Sequence, residues 1–429
     1  MPDIAYKSID IIQSDQLERL QRQLKFVTAH SKFYQAHFKK HQVDIDQIKS
    51  LEELNLIPTI GKKELQAHYK DFWCVAPSQI RDYTNTSGTE GKPVTIPLSN
   101  TDLDRLAYNE MLSLACTGGD ENEIYQLTTT IDRRFMAGLA YTLGARELGA
   151  GMVRTGPGIP QLQWQTIDEL NTTALIVVPS FLVKLIDYAI NNGIDYKNSS
   201  VKKAICIGEP IRNSDFSLNA LGSRIKEAWD IELYSTYASS EMATAFTECS
   251  IGKGGHVLTD LIVVEILDEK GNKVPEGVAG ELTITTLGVE GFPLVRFRTG
   301  DICAVHKEPC ACGRTTPRLG PVIGRKHQMI KCKGTTCYPS AIYDVMDRIP
   351  EISHYQIELS LDNLGNDEVL IRYATNSPLE MGSLVNQLKA GIRFTPKLEA
   401  LSVEMIMPMI FQEAKRKPVK MVDKRANSL

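Results

Sequence analysis

Two short apolar runs constrain the fold of this chain more than any other feature. Residues 174–178 read Ala-Leu-Ile-Val-Val and precede Pro-Ser, and residues 204–207 read Ala-Ile-Cys-Ile and precede Gly-Glu-Pro. A stretch of helical character, Phe181–Ile190, lies between them. Continuous β-rich runs separated by helices are typical of parallel strands that are buried on both faces. The sequence therefore predicts an α/β fold.

The wider pattern predicts a large domain over residues 1–324 and a small domain over residues 325–429. Residues 15–40 carry apolar residues at near-helical spacing and predict amphipathic helices. Residues 262–267 and 281–287 predict two strands joined by a polar loop. Beyond residue 325 we expect an α+β unit, with helices at 340–348 and 379–392 and strands at 353–359, 368–373 and 402–406.

Charge and composition exclude several classes of protein. The net charge of -4 argues against a general nucleic-acid binder or a polybasic membrane binder. No apolar run approaches the roughly 18 residues needed to span a bilayer, and the N-terminus lacks the pattern of a signal peptide. The nine cysteines, an odd number in a long chain, indicate thiols or metal ligands in a reducing compartment. We therefore expect a cytoplasmic protein.

The stretch Tyr83–Pro93 combines two glycines, a run of hydroxyl side chains and one lysine. Backbone N–H groups near glycine form anion-binding nests, and the hydroxyl and ammonium groups add donors and charge. It is not a Walker A loop, because only two residues separate Gly88 from Gly91-Lys92 and a proline follows the lysine. The pattern favours a polyphosphate-binding loop, and the alternative is a polar surface turn.

This stretch resembles the phosphate-binding signature of the adenylate-forming superfamily of acyl-CoA synthetases and adenylation domains. Further motifs resemble that family and follow in its order: Tyr237-Ala238-Ser239-Ser240-Glu241, Gly280-Glu281-Leu282, Arg296-Phe297-Arg298-Thr299-Gly300-Asp301, and Gly324-Arg325 with Lys333-Gly334 and Pro339. The short chain and the Cys310-Ala311-Cys312-Gly313-Arg314 segment resemble the phenylacetate–CoA ligase-like branch. The resemblance covers nearly the whole chain and implies a multi-sheet N-terminal domain with a small mobile C-terminal domain.

The resemblance implies a two-step reaction: a carboxylate attacks the α-phosphate of ATP, releasing pyrophosphate, and a thiol then takes the acyl group from acyl-AMP. It also implies roles for single residues. Glu241 holds Mg²⁺, Tyr237 lies against adenine, Asp301 accepts both ribose hydroxyls, and Gly208-Glu209-Pro210 lies beside the adenine and the acyl pocket. The ATP phosphates lie against Thr86, Ser87, Gly88, Thr89 and Gly91, with Lys92 adding charge.

The domain junction departs from the family pattern Gly-Arg-x-Asp-Asp, because this chain reads Gly-Arg-Lys-His-Gln from residue 324. The resemblance implies that Arg325 reaches the nucleotide phosphates, and it puts His327 at the hinge aspartate. A hinge residue chiefly absorbs a change in φ and ψ, so the departure bears more on thioester formation than on adenylation. The C-terminal stretch resembles the family ending and aligns Lys417 with the catalytic lysine, while Lys415, Lys420 or a solvated basic tail are the alternatives.

Four residues form a candidate metal site outside the reacting groups. Cys310 and Cys312 form a tight pair, and Cys249 and His256 lie upstream with six residues between them. Two such pairs would fill a closed tetrahedral Zn²⁺ site of the structural kind. His306 and Cys303 are substitute ligands, and the alternative is four ordinary reduced residues.

The resemblance puts the acyl pocket beneath residues 135–141, with Phe135 and Tyr141 as walls and Ala238 in the floor. These side chains favour an aryl or arylacetic acid, and the alternative is that the two aromatic residues belong to the core. Three functions remain open: an aryl-acid–CoA ligase, an adenylating enzyme that delivers to a carrier-protein thiol or an amine, and a non-catalytic nucleotide-binding protein. The ligase would use ATP, Mg²⁺ and coenzyme A, and we expect a homodimer without nucleic-acid or membrane partners.

Overall fold

The structure, a computed structural model, describes residues 4–86, 93–332, 335–362, 366–412 and 418–425. The chain forms two compact units. The first reaches to Leu218 and continues from Gly222 to Val322, and the second comprises Asn219–Leu221 and the chain from Ile323 onward. The second unit thus begins two residues before Arg325, where the sequence predicts the small domain.

The α-helices follow one another along the chain as follows: α1 Ile9–His30, α2 Lys32–His41, α3 Lys62–His68, α4 Asn100–Cys116, α5 Met136–Leu148, α6 Pro160–Leu170, α7 Pro179–Asn191, α8 Ala220–Ala228, α9 Pro339–Asp347, α10 Met381–Ile392 and α11 Val403–Ile410. Among the described residues, none of these helices has the length and apolar character that a bilayer span requires.

The strands up to residue 322 are β1 Asp82–Asn85, β2 Thr95–Leu98, β3 Ile124–Leu127, β4 Gly151–Arg154, β5 Ala174–Val177, β6 Lys203–Ile207, β7 Glu232–Ser239, β8 Thr244–Thr247, β9 Gly255–His256, β10 Ile262–Leu267, β11 Gly280–Thr286, β12 Phe297–Cys303, β13 Val305–His306 and β14 Arg318–Leu319. The strands beyond it are β15 Gly324–Arg325, β16 Ile330–Cys332, β17 Thr335–Cys337, β18 Ile352–Leu361, β19 Asp367–Thr375, β20 Lys397–Ala400 and β21 Met421–Asp423.

A central sheet of the first unit has the strand order β4-β3-β5-β6-β7-β8. Its neighbours are parallel except for β7 and β8, which are antiparallel. The two apolar runs of the sequence are β5 and β6, and every residue in both strands is buried. The predicted parallel core is therefore confirmed. Since parallel strands end at the same edge, the segments after β5, β6 and β7 lie along one side of the sheet, where α/β folds bind ligands.

The strand β8 ends the central sheet, and the chain that follows it folds back closely. Gly255 of β9 lies so near β8 that an added Cβ would be 2.4 Å from the carbonyl oxygen of Phe246. Glycine is therefore required at this approach. The strand β9 then pairs with β14, which pairs with β13.

Two antiparallel elements complete the frame of the candidate site. The hairpin β1–β2 pairs Asn85 with Thr95 and leads into α4, whose first turn is capped by Ser99. The strands β10, β11 and β12 form successive antiparallel pairs. Both elements pack into the largest hydrophobic cluster, which includes Ile96, Leu282 and Phe297.

The second unit is a small α+β structure with its own core. Its sheet has the order β20-β19-β18-β21, and Ile357, Ile371 and Leu384 are fully buried in its hydrophobic cluster. One element prediction is wrong, because residues 402–406 begin the helix α11 instead of forming a strand. The Ser402 side chain caps this helix by accepting from the Met405 N–H, and Ile406 and Ile410 bury one helical face.

Candidate active site and metal centre

The side chains of Tyr237 and Asp301 meet, although 64 residues separate them along the chain. The Tyr237 hydroxyl donates to Oδ2 of Asp301 across 2.6 Å, and the Tyr237 ring stacks on Phe246 with a centroid distance of 6.0 Å. Burial, followed by the nearby Asp301 carboxylate, raises the pKa of Tyr237 well above its usual value. The tyrosine therefore remains a protonated donor to the aspartate at neutral pH.

The strand that carries Asp301 is fixed by two ion pairs. The buried Arg296 binds both carboxylate oxygens of Glu265, at 2.9 and 3.0 Å, and Arg298 pairs with Glu281 of β11 at 2.6 Å. The Arg296 backbone has a φ of 47°, a left-handed value that a non-glycine residue adopts only when its surroundings hold it. These arginines hold β12 in place, and Asp301 presents its carboxylate from this strand.

Glu241 lies in the turn that joins β7 to β8. The turn is closed by the Ala243 N–H, which donates to the Ser239 carbonyl at 3.2 Å. The Ser240 hydroxyl donates to the backbone carbonyl of Asn85, at 3.4 Å. Glu241 is thus next to a residue that contacts the end of β1, within the stretch predicted to bind phosphate.

The described part of the stretch predicted to bind phosphate lies on and next to the strands β1 and β2. The Thr86 N–H donates to the Val94 carbonyl at 3.0 Å, and the Val94 N–H donates to the Thr86 hydroxyl oxygen at 3.0 Å. The other predicted phosphate contacts, Ser87, Gly88, Thr89, Gly91 and Lys92, lie outside the described residues. Their roles stay predictions.

The Gly208-Glu209-Pro210 element follows β6 and caps the neighbouring helix. Gly208 has a φ of 76°, which glycine adopts without strain. The two carboxylate oxygens of Glu209 accept from the N–H and the hydroxyl of Ser180, in the first turn of α7, at 2.9 and 3.0 Å. The sequence interpretation missed Ser180, although a Pro-Ser pair after a strand is a recognisable helix start.

The predicted acyl-pocket residues lie in different environments. Tyr141 is buried in a hydrophobic cluster with Leu114 and Tyr125, Phe135 is half-buried just before α5, and Ala238 is exposed on β7. Near Tyr141, the buried Glu110 has a carboxylate oxygen, Oε2, with no hydrogen-bond partner among the described residues. Burial, only partly offset by Ser113, raises the pKa of Glu110 to about 8.

The second unit contains the remaining predicted catalytic residues. Arg325 is on β15, and the carbonyl of His327 accepts from Arg425 at 2.8 Å. Lys417 lies outside the described residues, as does Lys415.

Lys420 is already engaged within this unit. Its ammonium donates to the Tyr355 hydroxyl at 3.1 Å, pairs with Asp347 at 3.3 Å and lies 4.8 Å from the centre of the Tyr355 ring. Lys420 therefore has an acceptor, an ion-pair partner and an aromatic ring as neighbours within the second unit.

The four predicted metal ligands come together in the first unit. The donor atoms of Cys249, His256, Cys310 and Cys312 all lie within 4.8 Å of one another. The sulfurs of Cys249 and Cys310 are 3.7 Å apart, and Cys312 Sγ is 3.5 Å from His256 Nε2. Metal–sulfur and metal–nitrogen bonds of about 2.3 and 2.0 Å at tetrahedral angles require separations of about 3.8 and 3.5 Å, so the arrangement fits Zn²⁺.

The surroundings of this tetrad suit a metal. The Thr316 hydroxyl is 3.5 Å from His256 Nδ1, which leaves Nε2 facing the cysteines. Burial, with smaller contributions from Arg314 and Arg318, lowers the pKa of His256 to about 3, which keeps the imidazole neutral. The substitute ligands of the sequence interpretation are elsewhere, since Cys303 is buried in the main core and His306 packs against the Phe216 ring.

Comparisons with known proteins extend these observations. The family model described as AMP-binding enzyme matches residues 17–290. The chain is similar to the phenylacetate–coenzyme A ligase of Thermus thermophilus, with 29% identity over 83% of this chain and 80% of that protein. It is similar to the phenylacetate–coenzyme A ligase of Pseudomonas putida, with 27% identity over 90% of this chain and 89% of that protein.

Among solved structures, the chain resembles 2-hydroxyisobutyryl-CoA ligase in the postadenylation state in complex with 2-HIB-AMP. The TM-score is 0.86 with 22% identity, over 99% of this chain and 92% of that protein. At this identity the likeness establishes the fold, and it confirms the predicted architecture.

Proposed function

The chain belongs to the AMP-binding enzyme family, in its phenylacetate–CoA ligase-like branch, and we propose that it is an acid–CoA ligase. In this reaction a carboxylic acid and ATP give acyl-AMP and pyrophosphate, and the thiol of coenzyme A then displaces AMP to form the thioester. The curated relatives named above, which match most of the chain, are ligases of this kind by name.

One observation supports the first half-reaction most directly: three family motifs meet in space. The Tyr237–Asp301 hydrogen bond joins β7 to β12, and the Ser240 contact to Asn85 joins the Glu241 turn to the phosphate-binding hairpin. These contacts support the proposal that the groups assigned to adenine, ribose and magnesium act on one nucleotide. A nucleotide needs all of them together.

The described residues support a binding role for each group. Asp301, an acceptor-only carboxylate at neutral pH, would take both ribose hydroxyls. Tyr237 already uses one ring face on Phe246, and its other face would lie against adenine. Glu241 would hold Mg²⁺, which neutralises charge on the phosphate oxygens when bound. Together these contacts orient ATP so that a carboxylate can attack the α-phosphate.

The remaining catalytic assignments come from the family resemblance. Lys92 would add charge at the phosphates, and Arg325 would also contact them. Lys417 would stabilise the charge that develops between the acid and the α-phosphate, a role that suits a compact ammonium group. The engagement of Lys420 by Tyr355 and Asp347 supports the choice of Lys417.

We also propose a structural Zn²⁺ at Cys249, His256, Cys310 and Cys312. The separations of these donors support four-coordinate binding, and four protein ligands leave no open position for a substrate. The metal would join the segment after β8 to the loop after β13. None of the nine cysteines, all of which are described in the structure, forms a disulfide, which suits a reducing compartment such as the cytoplasm.

The acid, the acceptor and the assembly are finer proposals. Phe135, Tyr141 and Ala238 favour an aryl or arylacetic acid, although the burial of Tyr141 among core residues also suits a purely structural role. A carrier-protein thiol or an amine is the alternative acceptor, and a homodimer is the assembly we expect from related enzymes.

Pyrophosphate release measured with a panel of aromatic acids, with and without coenzyme A, tests the proposal. We expect acid-dependent release and an acyl-CoA product. Release without thioester formation would favour the carrier or amine acceptor. Absence of release with every acid, from protein that retains its fold, would favour a non-catalytic nucleotide-binding protein.

A further inference from the structure

Arg105 is a buried arginine on α4, only 8% exposed, whose guanidinium binds neutral acceptors from three separate segments. Its Nη1 donates to the Ala243 carbonyl at 2.6 Å, and its Nη2 donates to the Thr244 hydroxyl at 3.0 Å. Its other donors reach the carbonyls of Leu261 and Leu287, both at 2.7 Å. A buried cation is costly to hold, so this arrangement needs an explanation.

One of these acceptors, the Ala243 carbonyl, belongs to the turn that carries Glu241, and another, the Thr244 hydroxyl, belongs to the first residue of the strand β8 that follows it. Ala243 has a φ of 46°, a left-handed value that an alanine does not adopt without external support. The bond from Arg105 to the Ala243 carbonyl supplies that support from the interior. The Thr244 hydroxyl, which also accepts from Arg105, in turn donates to the Met242 carbonyl at 3.1 Å. Arg105 therefore holds Ala243 and Thr244, which are the second and third residues after Glu241.

The helix that carries Arg105 is itself anchored beside the phosphate-binding hairpin. It begins immediately after β2, and the carboxylate of Asp102 accepts from the N–H groups of Glu290 and Gly291, both at 2.8 Å. Gly291 is required there, because an added Cβ would be 2.1 Å from the Pro97 carbonyl oxygen. Asp102 and Arg105, one helical turn apart, thus fix α4 to the frame at its start.

Glu241 and Arg105 also line one small pocket. It is bounded by Ile96 and Leu98 of β2, by Asp102 and Arg105 of α4, and by Ser240 and Glu241 of the turn. The carboxylate and the guanidinium therefore belong to the same local structure, and the arginine binds the backbone behind the carboxylate.

We propose that Arg105 is a positioning residue that fixes the Glu241 turn relative to the hairpin β1–β2. Glu241 would then meet the metal-bound triphosphate from a fixed position relative to this hairpin. The inference rests on the proposed function, because it gives Glu241 the magnesium role. It adds a residue outside the family motifs, and it explains why the turn tolerates a left-handed alanine.

The test compares ATP affinity with and without Mg²⁺, by titration calorimetry of the full chain. Arg105→Lys keeps the charge but cannot reach both Ala243 and Thr244. The measured quantity is the ratio of the ATP affinity with Mg²⁺ to the ATP affinity without it. We expect this ratio to be about tenfold smaller in the variant than in the wild type. Affinity for ATP without Mg²⁺ should stay within about twofold, because Asp301 and Tyr237 do not depend on the turn.

Asn109→Ala is the matched control. Asn109 is buried on the same helix, and its Oδ1 accepts from the Ala245 N–H at 3.1 Å, just beyond the turn. We expect this variant to melt at a lower temperature while it keeps the wild-type effect of Mg²⁺ on ATP affinity. A general loosening of α4 would instead weaken the Mg²⁺ effect in both variants, and this would overturn the inference.

Thr244→Val keeps the test decisive if Arg105→Lys does not fold. It removes one acceptor of the guanidinium with little change in shape, and we expect a smaller loss of the Mg²⁺ effect in the same direction. An unchanged effect in a folded Arg105→Lys, or in Thr244→Val as its substitute, overturns the role of Arg105 alone. A wild-type protein that binds no ATP under any condition overturns the proposed function, and this role with it.

Discussion

The hydroxyl of Tyr237 and the carboxylate of Asp301 are 2.6 Å apart. Tyr237 begins one motif of the candidate site and Asp301 ends another, and their hydrogen bond fixes β7 against β12. The same bond holds one carboxylate oxygen of Asp301, Oδ2, in a fixed direction. The tyrosine thus orients the aspartate, in addition to the adenine contact proposed for its ring.

Asp301→Ala should lower the affinity for ATP by roughly ten- to a hundredfold, because hydrogen bonds to a charged acceptor contribute about 1.5–3 kcal/mol. Titration calorimetry with ATP measures this. Tyr237→Phe is the control, since it keeps the ring and removes only the bond to Asp301, and it should cost less. An Asp301→Ala protein that binds ATP as tightly as the wild type would contradict the ribose assignment.

Lys417→Ala should slow acyl-AMP formation by roughly a hundredfold or more, the usual loss when a charge that stabilises the transition state is removed. Transfer from preformed acyl-AMP to coenzyme A should change far less. Lys420→Ala is the comparison, because its ammonium is held by Tyr355 and Asp347. It should lower the melting temperature with little change in adenylation. Equal losses in both half-reactions for Lys417→Ala would remove its assignment.

Purified protein should contain about one zinc per chain by elemental analysis. Cys312→Ser should lose most of this metal and melt at a lower temperature. Cys116 is the matched control, since it packs against the tetrad cysteines without belonging to the tetrad, and Cys116→Ala should retain the metal. Wild-type protein that is fully folded and free of zinc would remove the metal centre.

Arg296→Ala should destabilise the protein by about 3–5 kcal/mol, because it leaves the buried Glu265 carboxylate without its partner. Urea unfolding measures the change. Arg22→Ala removes an ion pair whose two side chains are 64% and 70% exposed, and it should cost no more than about 1 kcal/mol. Similar losses in the two variants would argue against a supporting role for the Arg296 pair.

Glu110→Gln should change how stability depends on pH. Burial raises the pKa of Glu110 to about 8, so the folded state binds a proton that the unfolded state releases above its ordinary pKa of about 4.3. Stability then falls as pH rises between these values, by up to about 1.4 kcal/mol per pH unit. The glutamine amide does not titrate in this range. The free energy of unfolding of the variant, relative to that of the wild type, should therefore increase from pH 5 to pH 8.

Unfolding of both proteins across this range tests the expectation. Tyr141, whose hydroxyl interacts electrostatically with Glu110, does not titrate in this range, because burial raises the pKa of Tyr141 well above its usual value. A constant difference between the variant and the wild type would show that Glu110 titrates normally.

The sequence predicted much of this fold because its signals are local. The strands β5 and β6 and the helix α7 follow from apolar runs and spacing, which any short window displays. The prediction of a strand at 402–406 was wrong for the same reason. Valine, methionine and isoleucine at positions 403, 405 and 406 fit both the period of a strand and the period of a helix. The deciding contact, the Ser402 cap, is a single hydroxyl.

The site residues that belong to family motifs could be predicted from the sequence. The residues that support them through contacts distant along the chain could not. Glu209 caps a helix start 29 residues earlier in the chain, and Arg105 reaches carbonyls up to 182 residues away. Every residue type has a backbone carbonyl, so no pattern of side chains in the sequence indicates which carbonyl accepts from a buried arginine. The cysteine spacing, by contrast, indicated the tetrad because thiolate pairs have few other uses in a chain of this composition.

The close approach of Gly255 to β8 has a consequence for the association of the protein with other copies of itself. The outermost strand of an open sheet exposes backbone groups that can recruit a strand from a second molecule. The segment from Cys249 to His256 folds back over this strand and is held at both ends by tetrad ligands. Removal of the proposed Zn²⁺ by a chelator would release this cover, so the treated protein should aggregate at temperatures where its core is still folded.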